Sequence, residues 1–243
     1  MGFFGTYGFL NVITYFLTKQ FYFRKYKKTI LIICVFGVFA SLSFKAIGAF
    51  LFLLFILNKN KLKLFFIAFS ISVMGIVIFP KRTYDLAESL TYRIQTYITE
   101  GNSARSESYR VMFEDITDFK FIGRGVGSFG GASSTRYDSP VYNEVKFNWY
   151  DTKHLATTDT YFPHVFVELG IIGGMIYILT IMIPLFKRRY LKSVLLFVFV
   201  VYFALFFDSL FSFAMNNLGY LMVSLILVYP ILEYQKNIKQ LRT

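Results

Sequence analysis

The stretch YFPHVFVELGIIGGMIYILTIMIPLF, residues 161–186, decides the fold class of this chain. Its 26 residues contain one acidic residue, Glu168, and neither lysine nor arginine. A helix that crosses the hydrocarbon core of a membrane needs about 20 consecutive, mostly apolar residues. The stretch therefore predicts a transmembrane helix.

The composition extends this prediction to the whole chain. Of the 243 residues, 56% are apolar, 21% are aromatic and only 16% are charged, whereas about 25% are charged in an average soluble protein. We predict an all-α polytopic membrane protein with about seven transmembrane helices and one large extracytoplasmic loop that contains an amphipathic helix. The predicted transmembrane segments are residues 3–18, 29–42, 44–57, 62–79, 161–186, 193–207 and 210–229. Segments 29–42 and 44–57 are short for full spans, so one bent helix or a re-entrant pair is an alternative there.

The formal net charge of +12 is distributed in a way that favours a membrane over a nucleic acid as partner. Threading seven segments through a bilayer places four short basic clusters on one side, which the positive-inside rule makes cytoplasmic. The clusters lie at residues 19–28, 59–63, 187–192 and 236–242. We therefore predict a multi-pass protein of the cytoplasmic (inner) membrane with a cytoplasmic C-terminus. Its predicted parts are N-terminal transmembrane helices at 1–79, an extracytoplasmic loop at 80–160, and C-terminal transmembrane helices with a short cytoplasmic tail at 161–243.

The same threading places Met1 outside, directly before an apolar segment and without the charged region that begins a signal peptide. Either the first segment inserts by itself with its N-terminus outside, or the chain is the C-terminal part of a longer protein. The single cysteine, Cys34, lies in an apolar segment, and we interpret it as a small buried hydrophobic residue.

The outer loop contains one helical pattern, EGNSARSESYRVMFEDITDFK at residues 100–120. Residues 101–103 (Gly-Asn-Ser) supply a turn and a helix N-cap. Arg105 falls in the first turn, where the helix dipole favours anions, so Arg105 and the helix start together suit a phosphate. A solvated surface arginine near Glu107 is the alternative interpretation. The residues expected to form one apolar face are Tyr109, Met112, Phe113, Ile116 and Phe119.

The run GVGSFG, residues 125–130, has the G-x-G-x-x-G spacing of dinucleotide-binding loops. That fingerprint follows a buried strand and opens a helix, but here no Val/Ile-rich strand precedes the run and ASSTRYDSP follows it. The sequence thus argues against a nucleotide site. We expect Gly123, Gly125 and Gly127 to shape the loop, either through positive φ angles or through close approach to another chain or a ligand.

Three ionisable residues lie around the start of segment 161–186. Asp159 precedes it, while His164 and Glu168 are four residues apart and share a helix face. Because zinc needs three or four ligands and no second cluster is visible, we interpret this pair as structural and expect neither a metal nor a cofactor. Gly170 and Gly174 have a small-xxx-small spacing that favours close packing with another helix.

The order of these features resembles the O-antigen and capsule polysaccharide polymerase and O-antigen ligase superfamily of bacterial envelopes. In that family an arginine is followed four residues later by an aromatic residue, then by a helix and a glycine-rich run. The matching positions here are Arg105, Tyr109, Gly123, Gly125, Gly127 and Phe129, with Tyr109 in place of the usual tryptophan. Upstream, SLSFKAIGAFLFLLFIL resembles the family's serine-rich turn, and Lys45 takes the place of an arginine at the start of the next helix. The resemblance covers roughly residues 31–184.

A third match separates the branches of the superfamily. Its ligases carry a histidine and a small polar residue about nine positions before the glutamate of the next helix, where this chain has Asp159 and Thr160. The chain therefore resembles the polymerase branch. Because relatives usually carry more membrane helices before the serine-rich turn, an N-terminally shortened or inactive member is an alternative.

The resemblance implies an inverting, metal-independent membrane glycosyltransferase. It would polymerise undecaprenyl-diphosphate-linked oligosaccharide repeat units into O-antigen, capsule or exopolysaccharide at the outer face of the cytoplasmic membrane. The expected catalytic residues are Asp159, which would orient or deprotonate the acceptor hydroxyl, and Arg105. Arg105 would also bind the diphosphate, with Lys45 as a second cation and Arg124 and Arg110 as further candidates.

The expected partners are the lipid-linked glycan, the lipid bilayer and other polysaccharide-assembly proteins, such as a chain-length regulator and a flippase, but no nucleic acid. Two other functions stay open. An O-antigen ligase would transfer the finished glycan to another acceptor, and the missing histidine argues against it. A polysaccharide or lipid-carrier transporter would line its path with Arg105, Asp159 and Glu168, although such proteins typically show repeats and none is visible here.

Overall fold

The fold is helical throughout the part of the chain that the computed structural model describes. These residues are 2–22, 25–58, 103–147, 157–186 and 192–217, with isolated positions between 60 and 95 and between 219 and 228. Within them no strand occurs, so the predicted all-α class is confirmed for this part. The helices are α1 (Gly2–Phe21), α2 (Lys27–Ala40), α3 (Phe44–Leu57), α4 (Ala104–Thr117), α5 (Ala132–Arg136), α6 (Val141–Glu144), α7 (Phe162–Met182) and α8 (Lys192–Ser209), and 3₁₀ turns cover Ile183–Phe186 and Ala214–Asn216.

Two of these helices, α7 and α8, are long and apolar enough to cross a membrane. Helix α3 is also apolar, but its 14 residues span only about 21 Å, less than the roughly 30 Å hydrocarbon core. Helices α2 and α3 are separate, which excludes the single bent helix. The described ranges thus contain fewer membrane-crossing helices than the predicted seven, and predicted segment 62–79 lies outside them.

Two serines build the turn between α2 and α3. The Ser41 hydroxyl donates to the Val38 carbonyl at 2.6 Å, and the Ser43 backbone N–H donates to Ser41 Oγ at 3.3 Å. Ser43 is the N-cap of α3, because its Oγ accepts the Ala46 N–H at 3.5 Å. Lys45 is thereby placed in the first turn of α3.

Helix α1 lies at the centre of the bundle and packs against α2, α3 and α8. At its C-terminal end, Lys27 Nζ donates to the Lys19 carbonyl at 2.8 Å, and the Gln20 side chain donates to the Ser193 carbonyl. The end of α1 therefore lies beside the starts of α2 and α8. Lys19, Lys27 and Lys192, from two of the predicted basic clusters, share this end of the bundle.

Two apolar cores run along the bundle, and both involve α1 and α8. One core joins them to α7, and its buried members include Phe9, Ile13, Val165, Phe197 and Val201. The other joins them to α3, and its buried members include Val12, Phe16, Phe50, Leu53 and Val200. Burial of a phenylalanine or leucine side chain contributes about 1.5–3 kcal/mol, so these cores fix α3 and α7 relative to α8.

A third core belongs to residues 103–147, which we call the loop domain. Its buried residues come from α4, the glycine-rich run, α6 and the residues just after it, and α7; they are Val111, Met112, Phe129, Val141, Tyr142, Phe147 and Val167. The loop domain thus packs on the first turns of α7 and is fixed to the bundle through that helix.

The predicted apolar face of α4 is only partly correct. Met112 is buried, but Phe113 and Phe119 are exposed, and Phe119 lies beyond the end of the helix. The buried face instead includes the carboxylates of Glu107 and Asp115. Apolar periodicity assigns acidic residues to the exposed face, because acidic side chains are rarely buried unless they are paired. Here both carboxylates are paired with basic residues of the loop domain, so they can be buried.

Helix α7 is broken at Gly170, which has φ 72° and ψ −178°. Residues 120–130, which we call the glycine-rich run from here on, supply hydrogen bonds at this break. The N–H groups of Arg124 and Gly125 donate to the Val167 and Glu168 carbonyls at 2.9 and 3.1 Å, and those of Ile171 and Ile172 donate to the Lys120 and Phe121 carbonyls at 3.2 and 3.3 Å. The loop domain therefore pairs with α7 on both sides of the break.

Close backbone approach explains the glycines at this contact. A Cβ atom added to Gly123 would lie 2.1 Å from the Glu168 carbonyl oxygen, and one added to Gly170 would lie 2.4 Å from the Gly123 nitrogen. A Cβ on Gly174 would meet the Phe166 ring at 2.7 Å. Among the described residues, the nearest neighbours of Gly170 and Gly174 thus belong to the glycine-rich run and to α7 itself, and the expected contact with another helix is not found.

The two effects of glycine can be separated by substitution. Gly123 lies outside the positive-φ region but has no room for a Cβ, whereas Gly125 has φ 104° and open space around it. We predict that Gly123→Ala lowers the free energy of unfolding in detergent by about 3 kcal/mol through backbone overlap. The matched Gly125→Ala should cost about 1 kcal/mol of φ strain. Equal losses, measured by thermal unfolding, would show that the contact with α7 does not need Gly123.

Candidate functional site

The first turn of α4 presents Arg105 at the edge of the loop domain. Ser103 is the N-cap, as predicted, and its Oγ accepts the Ser106 N–H at 3.1 Å. The Ser106 hydroxyl lies 3.2 Å from the Ser103 backbone nitrogen and completes a capping box. Such reciprocal bonds satisfy helix-start N–H groups that otherwise lack partners. They hold the turn that carries Arg105 in one conformation.

The structure brings Arg105 and Asp159 together, although 54 residues separate them in the chain. The Arg105 guanidinium donates to Asp159 Oδ2, and the two side chains are 42% and 51% exposed. A guanidinium has five N–H donors, so one bond to Asp159 leaves it able to bind a second anion. The pair is therefore accessible to a ligand.

Hydrogen bonds that the Gly130 carbonyl accepts from Thr158 place the segment that carries Asp159. The Thr158 N–H donates to the Gly130 carbonyl at 3.1 Å, and the hydroxyls of Thr158 and Thr160 lie 3.0 Å apart. Gly130 has φ 75° and Asp159 has φ 53°. Asp159 is thus held in the left-handed region, which non-glycine residues seldom adopt, by buried threonines on both sides.

Lys45, the second predicted cation, forms an ion pair with Asp208 near the end of α8. Lys45 Nζ lies 2.9 Å from Asp208 Oδ1, and the Asp208 side chain is only 5% exposed. The Ser212 hydroxyl donates to the same oxygen at 2.5 Å. Sequence reasoning missed Asp208. The available signal is that Asp208 is the only charged residue between Lys192 and Glu233, and a charge in an apolar segment is expensive unless it is paired.

A hydrogen bond from Tyr109 connects the neighbourhoods of the two ion pairs. Tyr109 lies one turn after Arg105 on the same face of α4, and its hydroxyl donates to the Leu210 carbonyl at 2.8 Å. Leu210 is two residues beyond Asp208. Burial raises the pKa of Tyr109 to about 12, so the hydroxyl stays protonated at neutral pH. The Arg105–Asp159 and Lys45–Asp208 pairs therefore lie at the same end of the bundle.

Arg110 and Arg124, the other predicted diphosphate ligands, are each bonded to two carboxylates. Arg110 pairs with Glu107 and Glu114 at 2.5 and 2.6 Å. Arg124 pairs with Asp115 and Glu144 at 2.9 and 2.8 Å. These groups line an open cleft of about 460 Å³ in the loop domain. The structure thus places both arginines in an internal charge network, apart from Arg105.

Asp115 is the centre of this network. Burial by itself raises the pKa of Asp115, but hydrogen bonds from Arg124 and Lys120 outweigh burial and hold the pKa below its ordinary value of 3.8. The hydrogen bond to Asp115 in turn raises the pKa of Arg124. Asp115 therefore links the end of α4 to the glycine-rich run while both partners stay charged.

His164 and Glu168 form the pair that their spacing predicts. His164 Nε2 lies 3.0 Å from Glu168 Oε1, and the same oxygen accepts the Phe129 N–H at 3.1 Å. Glu168 is buried, so the pair joins α7 to the glycine-rich run. Among the described residues, no group of three or more histidine, cysteine, aspartate and glutamate side chains could hold a metal ion.

Comparison with known proteins identifies a sequence family. The profile described as O-antigen ligase matches residues 29–178, more than half of the chain. The match begins in α2, includes Lys45, Arg105 and Asp159, and ends within α7; Asp208 lies beyond it. No curated protein and no solved structure matches the chain.

The charge network should make the loop domain sensitive to acid. A group whose pKa is lowered by folding stabilises the fold above its unfolded pKa, and this contribution is lost as the pH falls through the folded pKa. We predict that Asp115→Asn lowers the free energy of unfolding by about 2 kcal/mol at pH 7. The half-exposed Glu114→Gln should cost less than about 0.5 kcal/mol. In detergent unfolding, the difference between wild type and Asp115→Asn should shrink below pH 3.8; a constant difference would contradict the assignment.

The Lys45–Asp208 pair can be tested by removing one charge or both. We predict that Lys45→Met destabilises the bundle by about 3 kcal/mol, because the Asp208 side chain, only 5% exposed, then lacks its counter-ion. The double variant Lys45→Met/Asp208→Leu should recover most of that loss, since replacing both members of a buried pair by apolar residues is often neutral. Thermal unfolding in detergent measures both. A double variant no more stable than Lys45→Met would mean that the two charges do not depend on each other.

Proposed function

We propose that this chain, which belongs to the O-antigen ligase family, polymerises oligosaccharide repeat units carried on undecaprenyl diphosphate. Members of the family are integral membrane proteins, and the two membrane-length helices α7 and α8 agree with that. The reaction would take place at the outer face of the cytoplasmic membrane and extend an O-antigen, a capsule or an exopolysaccharide. The protein would then be an inverting glycosyltransferase without a metal ion.

The observation that carries the proposal is the half-exposed Arg105–Asp159 pair. It unites a guanidinium, the side chain best suited to bidentate binding of phosphate, with a carboxylate that can accept a proton. Polymerisation needs both functions in one place. The pair lies at the start of α4, where the helix dipole also favours a negative charge.

The proposed reaction begins when the diphosphate competes with Asp159 for Arg105. The acceptor hydroxyl oxygen then forms a bond to the anomeric carbon, and the bond from that carbon to the diphosphate oxygen breaks. The electron pair leaves with the lipid diphosphate, whose charge Arg105 neutralises. The hydroxyl proton passes to Asp159. A single displacement of this kind inverts the configuration at the anomeric carbon.

Lys45 would supply the second positive charge for the diphosphate. Its ion pair with Asp208 fixes the ammonium group near the end of the bundle where Tyr109 contacts Leu210. In this proposal Asp208 is a positioning residue for Lys45. We assign Arg110 and Arg124 to the internal charge network of the loop domain, because each already binds two carboxylates.

The identity of residue 159, an aspartate, favours a polymerase over a ligase. The O-antigen ligases that the sequence resembles carry a histidine at the position of Asp159. The nearby His164 cannot replace it, because His164 is bonded to Glu168 and does not lie beside Arg105. Since the family profile itself is described as O-antigen ligase, transfer of a finished glycan to a second acceptor is the alternative outcome of the test.

The decisive substitution is Arg105→Ala in the organism that makes the polysaccharide, with the chromosomal gene deleted and variants supplied from a plasmid. We predict that polymer beyond one repeat unit falls about 100-fold, the loss typical of one charge-stabilising donor, while the protein stays in the membrane. Arg105→Lys keeps the charge but loses the bidentate fork, and should retain part of the activity. The matched control is Arg136→Ala, an exposed arginine of the same domain.

The lipid-linked glycans of the deletion strain distinguish the functions. Single repeat units on the lipid carrier at the outer face indicate a polymerase. Long lipid-linked chains that never reach an acceptor indicate a ligase, and precursors trapped at the cytoplasmic face indicate a transporter. Unchanged polymer length in the Arg105→Ala strain would exclude the diphosphate role.

A further inference from the structure

Helix α7 consists of two parts with different surroundings. Its first part, residues 162–169, packs into the loop domain: Val167 belongs to that core, and the buried Glu168 accepts the Phe129 N–H. The first part of α7 therefore packs against the loop domain on one side and, through Val165, against the core shared with α1 and α8 on the other.

The second part of α7 has the features of a lipid-facing helix. Residues 171–186 contain no charged side chain, and the exposed side chains include Ile172, Ile176 and Leu179. With 12 α-helical residues and a four-residue 3₁₀ turn, this part is about 26 Å long, close to the roughly 30 Å of a hydrocarbon core. A bilayer that covers this second part would therefore end near the break at Gly170.

Three exposed apolar residues lie at this level. Phe119, Phe121 and Ile122, which we call the apolar ridge, are 71%, 52% and 87% exposed. The Phe121 carbonyl accepts the Ile172 N–H at 3.3 Å, and the neighbouring Lys120 carbonyl accepts the Ile171 N–H. The ridge is therefore joined by hydrogen bonds to the first turn of the lipid-facing part of α7.

The conformation of Phe119 adds a second observation. Phe119 has φ 55°, a left-handed conformation that is unfavourable for a residue other than glycine. Glycine is the usual residue at this position after a helix. A phenylalanine there directs a large apolar side chain outward, next to the Phe121 ring at 6.2 Å between centroids.

We propose that the apolar ridge inserts into the interfacial region of the outer bilayer leaflet and seats the loop domain on the membrane. Lipid is the occupant because the ridge continues the exposed apolar surface of α7. The Lys120 and Phe121 carbonyls are hydrogen-bonded to α7, and the Phe119 and Lys120 N–H groups are bonded to the end of α4, so much of this backbone already has partners inside the protein, as burial near lipid requires. The nearby charges on Lys120 and Arg124 are paired with Asp115 and set the limit of insertion. This proposal goes beyond the proposed function and does not depend on it.

The test measures the depth of single positions in vesicles of phosphatidylcholine. Cys34→Ala removes the only natural cysteine, and Ile122→Cys is then labelled with bimane, whose fluorescence bromine quenches on contact. Lipids brominated at the shallow end of the acyl chain should quench the label at 122 at least twofold more than lipids brominated at the deep end.

Two matched positions serve as controls. Tyr137→Cys, also in the loop domain and 76% exposed, should be quenched by neither lipid, whereas Ile176→Cys in α7 should be quenched more by the deep bromines. All three replaced side chains are exposed, so the variants should keep the wild-type helical circular dichroism.

Either of two results would overturn the proposal. Quenching at 122 no greater than at 137 would place the ridge in water or under another protein. Stronger quenching at 122 by the deep bromines would mean that the ridge lies deep in the hydrocarbon core, so that the bilayer boundary is not near Gly170. Neither measurement needs a glycan, so both are independent of the test of Arg105.

Discussion

The break in α7 at Gly170 is the constraint on which the rest of the described structure depends. A continuous helix would use the Val167 and Glu168 carbonyls and the Ile171 and Ile172 N–H groups internally. Because the break diverts them to the glycine-rich run, the loop domain is tied to a membrane-length helix by its backbone. This attachment needs little side-chain specificity, but it does need glycine where the two backbones meet.

The arrangement of the candidate site follows from this attachment. The glycine-rich run that pairs with α7 continues to Gly130. The Gly130 carbonyl accepts the Thr158 N–H, and this bond places the adjacent Asp159. The same loop domain begins with α4, which carries Arg105. One backbone contact therefore positions both ends of a polar pair that are 54 residues apart in the chain. Tyr109 then fixes α4 to the end of α8.

Local signals predicted much of this from the sequence, and long-range pairing explains what they missed. Apolar length predicted α7 and α8, and the turn and cap residues predicted the start of α4 at Ser103. The buried face of α4 depends on the pairing of Asp115 with Arg124, and the environment of Lys45 depends on its pairing with Asp208. The members of each pair meet only after folding, so periodicity alone could not indicate them. The count of seven transmembrane helices stays a prediction, since segment 62–79 lies outside the described residues.

Arg105 and Lys45 are each paired with a carboxylate of the protein itself, and this affects which anionic ligands can bind. Arg105 and Lys45 each face a carboxylate, so the resting pairs sum to zero net charge and exert little long-range attraction. Under the proposed function, an ordinary anionic phospholipid brings a single phosphate charge and must displace a carboxylate already in place. A diphosphate brings two adjacent charges and would therefore compete with Asp159 for Arg105 more effectively than a single phosphate. Asp159 would then act as a built-in competitor that keeps abundant membrane lipids with a single phosphate charge away from Arg105.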